Sequence, residues 1–89
     1  MTLNFPNPAR SFDKHNNYVR FWGYDGAMEI AFFLETAALK ALNPKLNNTE
    51  LDVLTEFDKS LVRIHDIAEK VYRRSKSRSH TCTITAHNF

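Results

Sequence analysis

The stretch Tyr18-Val19-Arg20-Phe21-Trp22-Gly23-Tyr24-Asp25-Gly26-Ala27-Met28-Glu29-Ile30-Ala31-Phe32-Phe33-Leu34 consists of two β-branched and aromatic runs joined by Asp25-Gly26. Asp-Gly between alternating runs is the strongest short-range signal for a two-residue β-hairpin. A type I′ loop centred on Asp25-Gly26 would pair Tyr24 with Ala27, Phe21 with Ile30 and Val19 with Phe32. Side chains alternate along a strand, so the register sorts them onto two faces. Val19, Phe21, Met28, Ile30, Phe32 and Leu34 form a continuous apolar face, the expected core. Tyr18, Arg20, Trp22, Tyr24, Glu29, Ala31 and Phe33 form the other, which mixes charge with large aromatic rings.

On the N-terminal side, Leu3 and Phe5 alternate with polar neighbours and suggest a short first strand. Pro6 and Pro8 remove ladder donors and must end it or confine it to an edge. Ser11-Phe12-Asp13 can resume pairing, and Asp13-Lys14-His15-Asn16-Asn17 is turn chemistry. On the C-terminal side, Thr36 to Leu42 favours a short helix that Thr36 could cap and Asn43-Pro44 would stop. Thr49-Glu50-Leu51-Asp52 resembles a capping box and opens a stretch free of Gly and Pro. From there Leu54, Phe57, Leu61, Ile64, Ala68 and Val71 recur at helical spacing, widened by Leu51, Val53, Ile67 and Tyr72, and predict one long helix over 50–74. Acids at its start and bases at its end suit the helix dipole. Residues 75–79 read as a solvated loop. His80 to Thr85 alternates and reads as a last strand with Cys82 and Ile84 inward. The expectation is a single α+β domain over residues 1–89, in the order β-β-β-α-α-β. Its antiparallel sheet has three or four strands, with the short helix and the long helix packed on one face.

Composition bounds the function. A chain of 89 residues has a small core, so self-association would be a useful supplement. With 43% apolar and 25% charged residues it falls in the ordinary globular range. The single cysteine excludes an intramolecular disulfide. Neither a signal-peptide pattern nor a membrane-length apolar run is present, and a cytoplasmic setting is expected. Two glycines exclude a glycine-rich phosphate loop, and no cofactor motif is readable.

The hairpin block Val19-Arg20-Phe21-Trp22-Gly23-Tyr24-Asp25-Gly26 follows Leu3-Asn4-Phe5-Pro6-Asn7-Pro8 and Ser11-Phe12-Asp13. Arg63-Ile64-His65, Ala68, Val71-Tyr72 and the terminal Phe89 follow it. Together these segments resemble the small bacterial proteins grouped as domain-of-unknown-function family 1488, over almost the whole chain. The resemblance implies a small α+β domain with helices packed on antiparallel strands. It brings no catalytic residues.

Four constellations are candidates for function. Tyr18, Arg20, Trp22, Tyr24, Glu29 and Phe33 combine the residue types enriched at binding hot spots, and point to a protein partner or to self-association. Lys70, Arg73, Arg74, Lys76 and Arg78 form a basic segment. It could contact nucleic-acid phosphates, although without it the chain sums to −3. His65 with Glu69 one turn later could form a general base, and His80, Cys82 and His87 could supply part of a metal site. Each has a plainer structural reading: a half-polar outer face or one covered by the short helix or the N-terminal arm, a helix end that complements its dipole, a boundary histidine, a buried thiol. The expected role is non-enzymatic, a small interaction or regulatory module. A nucleic-acid-associated protein and an undetected enzyme are the alternatives.

Overall fold

The fold was analysed in a computed structural model, which describes residues 3–74 and 80–89. The hairpin organises it. Strands β3 (Tyr18–Asp25) and β4 (Met28–Glu35) pair antiparallel along their full length. Two short strands, β1 (Leu3–Asn4) and β2 (Arg10–Asp13), both pair antiparallel with β3 on its free edge. Between them, the five residues Phe5 to Ala9 arch away opposite only Trp22 and Gly23. The two prolines in this arch have no ladder bond to make, and the arch is where they fall.

The hairpin loop differs from the expected one. Asp25 pairs with Met28, so the central residues are Gly26 and Ala27. Gly26 has φ +62° while Ala27 does not enter the left-handed region, the φ pattern of a type II′ turn with glycine first. Asp25 stays in the strand because it is held there twice: it pairs with Leu3, and its carboxylate accepts the Tyr72 hydroxyl at 2.7 Å. The expected and observed registers differ by an even number of residues. The two faces are therefore the ones the alternation specifies.

Helix α1 (Thr36–Leu42) follows β4 directly. Glu35, not Thr36, occupies its N-cap, without a side-chain bond; Thr36 is buried in the first turn, and its N–H donates to the Asn17 carbonyl at 2.9 Å. Asn43 ends the helix as expected. The expected long helix is two helices, α2 (Glu50–Lys59) and α3 (Leu61–Arg74), divided at Ser60. Thr49 caps α2 by accepting the Asp52 N–H. At the division the Ser60 N–H is shared between the Glu56 and Phe57 carbonyls, and the Ser60 hydroxyl donates to Glu56 at 2.9 Å. Ser60 itself leaves helical geometry, at φ −103° and ψ 15°, which divides the two helices. The buried positions all fall within the expected stripe and its widening, with the burial centred toward Val53, Ile67 and Tyr72. Val53, Phe57, Ile64, Ile67, Ala68 and Tyr72 are buried, Leu54, Leu61 and Val71 are partly buried, and Leu51 is exposed.

Strand β5 (Thr81–Ile84) closes the sheet beside β4, with Cys82 and Ile84 inward as expected. It runs parallel to β4, because the helices carry the chain back across the sheet before it pairs. In place of three or four antiparallel strands, the protein has an α+β fold on a five-stranded, mostly antiparallel sheet, with β1 and β2 on one side of β3–β4 and β5 on the other. A short 3-10 turn, Ala86–Asn88, follows. One hydrophobic cluster joins the inward residues of β1, β3, β4 and β5 to the buried apolar residues of all three helices.

Candidate functional site

The outer face of the sheet carries the first candidate. β3 and β4 present eight outward positions, and four of them are aromatic: Tyr18, Trp22, Tyr24 and Phe33. All four are partly exposed, whereas Arg20 and Glu29 are exposed. The register places Arg20 opposite Phe33, Trp22 opposite Ala31 and Tyr24 opposite Glu29. The Arg20 guanidinium lies 5.3 Å from the Trp22 ring centre and 5.7 Å from that of Phe33. Tyr18 meets Phe33 edge-on at 4.9 Å, and the Tyr24 hydroxyl donates to Glu29 at 2.7 Å. That bond holds the tyrosine proton more firmly than usual. All six predicted residues are therefore brought together on one surface. The buried apolar side chains of α1, α2 and α3 all join the cluster against the opposite face.

A second candidate was not readable from the sequence. The Phe5–Ala9 arch, β3 and the α2–α3 junction line a groove of about 380 Å³. Its floor is Phe5, Phe21, Phe57 and Leu61, with His65 at one end and the Arg10–Asp58 pair at the rim. Arg10 grips Asp58 through two bonds of 2.9 and 2.8 Å, which lower the Asp58 pKa. His65 stacks flat on Phe5, with centres 3.9 Å apart and planes within 4°. Burial pushes its imidazole below the ordinary value. Sixty residues of chain separate the two rings, so no local pattern announces the contact.

Of the remaining sequence candidates, the described basic residues Lys70, Arg73 and Arg74 line one surface depression near the end of α3. Glu69 is paired with Arg73 at 3.2 Å and does not orient His65. Lys70 is paired with Asp66 at 3.2 Å. Two of the basic residues thus have acidic neighbours within one turn; Lys76 and Arg78 lie outside the described residues. Cys82 faces the core, and burial raises its pKa, while His80 and His87 are exposed. Among the described residues, no group of three His, Cys, Asp or Glu side chains could hold a metal ion, and no helix is long and apolar enough to cross a membrane.

Comparison with known proteins agrees with this architecture. None of the curated proteins is significantly similar to the chain. A crystal structure of a protein of unknown function of the DUF1488 family, from Shewanella loihica PV-4, is similar to it in fold: TM-score 0.78 over 94% of each chain, at 17% sequence identity. The family model described as protein of unknown function (DUF1488) matches residues 3–86. With the hairpin, the arch and the closing strand all inside that span, the chain belongs to the DUF1488 family.

Proposed function

We propose that this protein is a non-enzymatic interaction module that docks a protein partner on the outer face of its sheet. One observation carries the reading: every buried apolar side chain of the three helices packs on the inner face, yet half of the outward positions of β3 and β4 are aromatic. An antiparallel sheet with one solvated face ordinarily alternates apolar inward with polar outward. Here Trp22 and its neighbours depart from that rule where no fold requirement asks for them. Trp, Tyr and Arg supply large contact area with few rotatable bonds, which is why they dominate binding hot spots.

Site-specific photocrosslinking in the host cell tests the proposal. A photoreactive phenylalanine analogue is placed at Trp22 or Phe33, and as a control at Val62, which is 86% exposed on α3. Discrete crosslinked protein products are expected from the two sheet positions and not from the helix. Absence of product at both sheet positions, or the same products from Val62, would overturn it.

A further inference from the structure

We infer that the occupant of the outer face is a second copy of this chain, turned end for end about a two-fold axis that crosses the strands at Trp22 and Ala31. The inference rests on the docking reading above and adds the identity and orientation of the partner. Its basis is where the charges sit. Arg20 lies two residues before Trp22 on β3, and the Tyr24–Glu29 pair lies at the level two residues after it. The cation and the anion are thus each about 7 Å from the central tryptophan, in opposite directions along the strands.

A two-fold axis across the strands reverses strand direction. It carries Arg20 of one copy over the Tyr24–Glu29 pair of the other, and does so twice in one interface. The guanidinium already leans between Trp22 and Phe33, toward β4, which is the strand that bears Glu29. Trp22 faces its own symmetry mate beside Ala31, whose small side chain leaves room for a ring. The other outward acids, Asp13 and Glu35, flank Tyr18 at the far end of the strands. The same rotation carries them to the hairpin tip at Gly26 and Ala27, and not onto an acid. An axis along the strands would instead set Arg20 against Arg20 and Glu29 against Glu29. The charge pattern therefore favours one of the two ways of stacking like faces, and a self-complementary patch of this kind is what an isologous dimer requires. Two strands of eight residues flanked by strands of two to four, at about 3.3 Å per residue and about 4.8 Å between strands, offer roughly 400 Å² in projection. That lies below the standard size of stable interfaces, so weak association, with dissociation in the micromolar range or above, is expected.

Sedimentation velocity over a concentration series tests this. The wild-type chain should dimerise with rising concentration. Arg20→Glu alone and Glu29→Arg alone should each weaken dimerisation by about tenfold or more, since each places like charges in both contacts. An equimolar mixture of the two variants should regain wild-type dimer content, because every contact in the mixed dimer then joins opposite charges. Misfolded chains would not produce that recovery. A wild-type chain that stays monomeric throughout, or a mixture that associates no better than its components, would overturn the inference. If the wild type is monomeric while Trp22 crosslinks to a protein of another mass, the docking reading stands and the two-fold dimer falls.

Discussion

On one face of the β3–β4 ladder Val19, Phe21, Ile30, Phe32 and Leu34 lose nearly all contact with water; on the other, Tyr18, Trp22, Tyr24 and Phe33 remain partly exposed. The two sets come from the same sixteen strand residues, the inner one wholly apolar and the outer one of rings that mostly carry a polar O–H or N–H. They differ in what is laid over them. The inner set meets three helices and forms one cluster with them, where full burial of each large side chain is worth about 1.5–3 kcal/mol. In the outer set Arg20 lies over two rings, and one tyrosine bonds to the glutamate across from it. Aromatic character therefore serves stability on one side and stays partly exposed on the other.

Paired truncations make the contrast measurable. Phe32 is fully buried and packs against Phe5 and Phe21 with ring centres 5.9 and 5.1 Å away. Phe32→Ala should cost about 3–5 kcal/mol. For a domain of this size that is a large share of its whole stability, and the folded fraction itself should fall. Trp22→Ala, only a few atoms away through the sheet, should cost about 1 kcal/mol or less, the scale of a cation–π contact and of strand propensity. Urea midpoints at constant slope report both. Equal losses would show that Trp22 is part of the core and would break the contrast.

The next effect tests how the inner face is sealed at its edge. Gly23 points inward, and an added Cβ would lie 2.9 Å from Phe5 Cε1 and 3.0 Å from Phe32 Cε2. The glycine thus makes the seat for the Phe5 ring, a close approach that a strand interior tolerates only there. Gly23→Ala should cost about 1–3 kcal/mol through overpacking. Part of that should return when Phe5→Leu is combined with it, because the two changes share one contact. A neutral Gly23→Ala would mean that the arch is not seated on the sheet.

What was legible in the sequence follows the same division. The faces were legible because alternation has a period of two, and a register error of two residues leaves them unchanged. The loop itself was not: Asp-Gly is the better turn dipeptide, but Asp25 is drawn into the strand by Leu3 and Tyr72, one near each end of the chain. The spacing of Leu54, Phe57, Leu61 and Ile64 continues smoothly through Ser60, so the division of the helix leaves no gap in the pattern. Nor does any local residue record that β5 runs parallel to β4, since that depends on the whole helical crossover. Of the two candidate sites, the outer face lies within one hairpin and could be read from it. The groove joins Phe5, Arg10, Phe57, Asp58 and His65 across tertiary contacts and could not.

The smallest effect lies at the rim of that groove, where the inner face first meets water. His65 is half-buried, stacked on Phe5, with Phe21 and Leu61 beside it; the charged groups lining the same groove, Arg10 and Asp58, are engaged with each other. Loss of hydration holds its pKa below the unfolded value of 6.5. The unfolded chain then binds the proton more tightly than the folded one. Stability should be fully present above 6.5, fall as pH drops through 6.5 toward the folded pKa, and level off below it. Asp13 and Asp58, held below their ordinary value of 3.8 by hydrogen bonds from Asn16 and Arg10, lose their contributions only in a more acidic range, so the two windows are separate. Urea midpoints measured from neutral pH down to about 5 isolate the histidine window. His65→Phe keeps a ring on Phe5 and removes the titration, so its midpoint should be flat over that interval. A slope that survives the substitution would place the proton elsewhere, and the rim would then be as wet as the outer face rather than the last dry layer of the core.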